Sequence, residues 1–72
     1  MRVCNNTDAK HLVFKLFGER AKQSITAIEK IGQKFIVYLN YVPPEKDLPD
    51  GVVVSRDGDR TIITIEKREV EV

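Results

Sequence analysis

The chain has one cysteine, Cys4, so it can form no internal disulfide. A lone cysteine suits a reducing compartment, and a cytoplasmic location is the expectation. It has one histidine, His11, and four glycines, Gly18, Gly32, Gly51 and Gly58, that stand apart from one another. Isolated glycines make no phosphate-cradling loop. No apolar run reaches the roughly 18 residues of a membrane-spanning helix, so no membrane contact is expected. Met1-Arg2-Val3-Cys4 lacks the apolar core and cleavage site of a secretory leader.

The same scarcity removes most chemistry. Cys4 and His11 are two ligands where a structural zinc site normally takes four. Asp57-Gly58-Asp59, even with Asp50, lacks the longer pattern of a calcium loop and reads as turn chemistry. Nothing orients His11 to activate Cys4 as a nucleophile. The expectation is therefore a protein without cofactor or metal and without enzyme activity.

What is present is an ordered chain of one domain, residues 1–72, with 42% hydrophobic and 32% charged residues. A chain this size buries only about 60% of its unfolded surface, so it has a small core and no room for a large enclosed active site. Net charge is +1. Through Lys34 there are seven Lys or Arg against three acids; from Phe35 onward there are five against eight. The first half is basic and the second acidic.

The spacing from Asn6 to Gly32 predicts one long amphipathic helix. At about 100° per residue, Ala9, Leu12, Val13, Leu16, Phe17, Ala21, Ile25, Ile28 and Ile31 share a broad apolar face. His11, Lys15, Glu19, Lys22, Thr26, Glu29 and Gln33 lie opposite. Asn5, Asn6 and Thr7 are capping types, and Asp8 complements the positive end of the helix dipole. Lys30 and Gly32 suit a helix C-terminus. Gly18 costs about 1 kcal/mol in a helix interior. A break there would shift the apolar phase, and none is visible, so one helix is expected, with room for a bend.

Three strands follow. Lys34 to Val42 alternates Phe35, Val37, Leu39 and Tyr41 with Ile36, Tyr38, Asn40 and Val42, and Pro43-Pro44 ends it. Gly51 to Arg56 and Arg60 to about Lys67 form a hairpin through Asp57-Gly58. A turn of even length places Val52, Val54, Ile63 and Ile65 on one face. After Arg68 the alternation slips and the chain is expected to leave the sheet; residues 1–5 are a short lead-in strand or frayed. The fold expected is α+β: one long helix packed on a three-stranded antiparallel β-meander, in the order αβββ.

One helix covers one face of such a sheet, and the other should then be polar. Instead it carries Ile36, Tyr38, Val42, Val53 and Ile62. A contiguous apolar cluster of this kind marks a contact with a second copy or another protein. The leading expectation is therefore a non-enzymatic protein-interaction module. The alternative is a nucleic-acid binder using Lys15 and Lys22 on the helix and Arg56 and Arg60 at the hairpin. Glu19 and Glu29 interrupt that basic stripe, as they would on an ordinary solvated helix face.

Overall fold

The computed structural model describes every residue from Met1 to Val72. It is α+β, with two helices on one face of a four-stranded antiparallel sheet. The elements are α1 (Asn6–Phe17), α2 (Glu19–Gln23), β1 (Ile25–Ile31), β2 (Lys34–Leu39), β3 (Val52–Asp57) and β4 (Arg60–Glu66). The order across the sheet is β1-β2-β4-β3.

The first half of the expected long helix is real. Asn5 caps α1 by accepting from the Asp8 amide at 2.9 Å, and the Asp8 carboxylate accepts from the Cys4 amide at 3.0 Å. Asn5 thus satisfies a backbone donor that the first turn leaves open, and Asp8 holds the amide just before the cap. Ala9, Leu12, Val13 and Leu16 are buried against the sheet, as their spacing requires.

The second half is not helical. At Gly18 the backbone turns to φ +95°, in the region that favours glycine, and the Gly18 amide donates to the Phe14 carbonyl at 2.8 Å. A second short helix follows and stops at Ser24, whose hydroxyl donates to the Arg20 carbonyl. Ile25–Ile31 is then a strand, rich in β-branched residues that suit a pleated sheet. Its turn is Gly32-Gln33, with Gly32 at φ +61°, so the expected helix cap is instead the first position of a two-residue hairpin.

The sheet is also not the expected meander. β4 pairs with both β2 and β3 and takes the inner position. Residues 40–51 make this arrangement possible. β2 and β3 are both antiparallel to β4, so they run the same way, and the chain must travel the length of the sheet between them. It does so on the helix side: Pro43 is buried, Leu48 packs on the core, and the Lys46 ammonium donates to the Leu16 carbonyl at 2.6 Å. Three prolines stiffen this crossing.

The inner face follows the expected register. Val52 stands opposite Ile65 and Val54 opposite Ile63. Phe35, Val37 and Leu39 join them beneath the helices. The β3–β4 turn has the expected even length but lies one residue later than expected, at Gly58-Asp59 rather than Asp57-Gly58, because Asp57 still pairs with Arg60 and Gly58 takes φ +67°. After Glu66 the chain leaves the ladder, but it stays attached. The Val3 amide donates to the Arg68 carbonyl at 3.1 Å and the Val70 amide to the Met1 carbonyl at 2.7 Å. Val3 and Val70 are fully buried in the same core as the helix residues.

Candidate interaction face

The pairing of the four strands fixes what the uncovered side of the sheet presents. One row reads Ala27, Tyr38, Ile62 and Ser55 from β1 to β3; the next reads Glu29, Ile36, Thr64 and Val53. Directly opposed residues on one face are within side-chain contact, and diagonal neighbours are reachable by long side chains. Tyr38, Ile62, Ile36 and Val53 therefore form one contiguous apolar cluster. Val53 is 63% exposed, and Ile36, Tyr38 and Ile62 are half-buried. Neither chain end shades this side, since Val3 and Val70 belong to the core under the helices.

Val42 is not part of the cluster. β2 ends at Leu39, where the chain leaves to start its crossing, so Val42 lies in the loop rather than on a strand, 37% exposed. In its place the face gains Ile31 on β1, 58% exposed. Sequence reasoning missed Ile31 because it read β1 as helix. The signal that could have found it is Gly32-Gln33 between two β-branched runs.

Charges of both signs edge the cluster. Lys34 stands opposite Glu66, and Arg60 opposite Asp57. Glu29 lies on the diagonal from Tyr38. Desolvation, and after it the Glu29 carboxylate, push the Tyr38 hydroxyl above its ordinary value of 10.0.

The four basic residues considered for nucleic acid fall on different surfaces. Lys15 is exposed on α1. Lys22, on α2, holds its ammonium 5.5 Å from the centre of the Phe14 ring. Arg56 is on the helix side of the sheet, opposite Thr61 and 3.8 Å from the Glu45 carboxylate. Arg60 shares the parity of Ile62 and belongs to the outer side. Arg20 is held over the Tyr41 ring at 4.6 Å. No group of three or more His, Cys, Asp or Glu side chains is placed to hold a metal ion, and no helix is long and apolar enough to cross a membrane. The chain matches no protein-family model, and no curated protein or solved structure shows significant similarity to it.

Proposed function

We propose that this protein is a small interaction module, not an enzyme, and that the outer sheet face is covered by a second copy of the chain. The observation that carries this reading is the cluster of Tyr38, Ile62 and Ile36, with Val53 on the diagonal from Ile62, on a face that neither helices nor chain ends cover. Exposed apolar patches rimmed by polar residues characterise contact surfaces. A second copy is favoured because the rim holds both Lys34 and Arg60 and both Glu29 and Glu66. A two-fold pairing sets one patch against itself, and a rim of mixed sign can then match cation to carboxylate. A purely acidic or basic rim would call for a partner of the opposite charge. An exposed, unpaired Cys4 thiol fits a cytoplasmic setting.

The size of the face sets the strength expected. Strands spaced about 4.8 Å apart, with about 3.3 Å per residue, give a flat footprint of roughly 400 Å² per copy. The two copies together bury less than the roughly 1,200–2,000 Å² of a stable complex. The association is therefore weak and reversible, with a dissociation constant of roughly 10 μM to 1 mM. Sedimentation equilibrium of the wild type beside Tyr38→Glu tests it.

A further inference from the structure

Where residues 40–51 cross the helix side of the sheet they leave a cavity of about 260 Å³ between the end of α1, the loop and the β3–β4 hairpin. Phe17, Pro43, Leu48, Val54, Arg56 and Thr61 are among its lining residues. Packing does not account for two of them. Thr61 is 1% exposed, and its hydroxyl has no hydrogen-bond partner in the protein. A buried polar group without a partner is costly, and in a native protein it calls for an explanation. Directly across the ladder stands Arg56. Its guanidinium is half-exposed and reaches only Glu45, at 3.8 Å, on a side chain that is 91% exposed. An ion pair this long and this wet holds little. The loop's one cation, Lys46, also lines the cavity and donates to the Leu16 carbonyl at 2.6 Å.

We propose that this cavity binds a small organic monocarboxylate. Its apolar body rests against Phe17, Leu48 and Val54. Its carboxylate displaces Glu45, pairs with the Arg56 guanidinium and, with a small shift of the groups that close over that oxygen, accepts a hydrogen bond from the Thr61 hydroxyl. The Lys46 ammonium is held on the Leu16 carbonyl, so the guanidinium and the hydroxyl are the groups left to receive an anion, and Phe17, Leu48 and Val54 suit one with an apolar body. The size also fits. The cavity opens to solvent on one side, and its roughly 260 Å³ exceeds the roughly 150 Å³ of an enclosed apolar cavity that takes up benzene, so a ring with a short acid substituent has room.

Phenylacetate is a suitable probe, with phenylacetamide as its uncharged control, titrated into the full chain while backbone amide NMR shifts are followed. The expected result is saturable shifts at Val54, Arg56, Thr61 and the 43–48 loop at millimolar phenylacetate. Binding should weaken roughly ten- to hundredfold in Arg56→Gln and for the amide. It should tighten in Glu45→Gln, which removes the competing carboxylate. It should not change in Arg60→Gln, whose side chain lies on the other side of the sheet. Arg56 and Glu45 both reach solvent, so these variants keep the fold, and the same spectra report it. Absence of saturable shifts at these amides up to about 20 mM would overturn the proposal, leaving the Thr61 hydroxyl without a partner. Equal affinity in Arg56→Gln would overturn it too. Neither result bears on the outer face, which is read by sedimentation.

Discussion

Tyr38 stands directly across from Ile62 on the side of the sheet that no helix covers, with Glu29 on the diagonal. Desolvation and then that carboxylate raise the Tyr38 hydroxyl above 10.0. The unfolded chain releases this proton first, so the folded state holds more protons in the interval above pH 10. Stability from this source is complete below that pH and is lost as pH rises through the raised folded value. Tyrosinate absorbance should show Tyr38 ionising late. Glu29→Gln should bring it partway back, leaving the part due to desolvation. Tyr38→Phe should lose less stability than wild type between about pH 9 and 11. Ionisation of Tyr38 at or below 10 would contradict the geometry of this pair.

Gly18 separates the two helices at φ +95°, and a Cβ added there would meet nothing within 4 Å. The cost of Gly18→Ala is thus conformational alone, and it should destabilise the protein by about 1–2 kcal/mol in urea unfolding. In a continuous helix the same change would stabilise by about 1 kcal/mol. The sign of the change decides between the two.

Val70 is fully buried, whereas Val72 is 60% exposed. Val70→Ala should cost about 1–3 kcal/mol through the cavity it leaves, and Val72→Ala less than about 0.5 kcal/mol. Equal effects in thermal unfolding would mean that the chain end is not docked.

Thr61 holds a buried hydroxyl without a protein partner. Thr61→Val keeps the branched shape, removes the hydroxyl, and should raise the urea midpoint by the equivalent of about 1 kcal/mol. A lowered midpoint would show that the hydroxyl is well satisfied in the folded protein.

Much of this fold is legible in the sequence, and the place where it is not has a definite cause. Ala9, Leu12, Val13 and Leu16 announce α1, and the alternation of Phe35, Val37 and Leu39 announces β2 and its buried side. The even β3–β4 turn follows from matching Val52 and Val54 to Ile63 and Ile65. β1 is hidden by a bulge. The register with β2 shifts between Ile25 and Ala27, so Thr26 is an extra residue and both Ile25 and Ile28 face the helices. Their separation of three imitates a helix, and with Ala21 it continues the apolar phase of α1. The strand order was hidden for another reason. Alternation tells which face a residue takes but not which strand lies beside it, and only the length of the 40–51 crossing hints that β3 passes beyond β4. The candidate face was legible as far as alternation held, through Ile36, Tyr38, Val53 and Ile62. It failed at Val42, beyond the end of β2, and at Ile31, inside the hidden strand.

The proposed function stands on burial of the Tyr38–Ile62 face against a second copy. Sedimentation equilibrium of the wild type and of Tyr38→Glu, from about 5 μM to 1 mM, tests it most directly. The apparent mass of the wild type should rise toward that of a dimer over this range. Tyr38→Glu should stay monomeric, with an unchanged far-ultraviolet circular dichroism spectrum. A wild type that remains monomeric throughout, or a Tyr38→Glu variant that associates equally well, would contradict it.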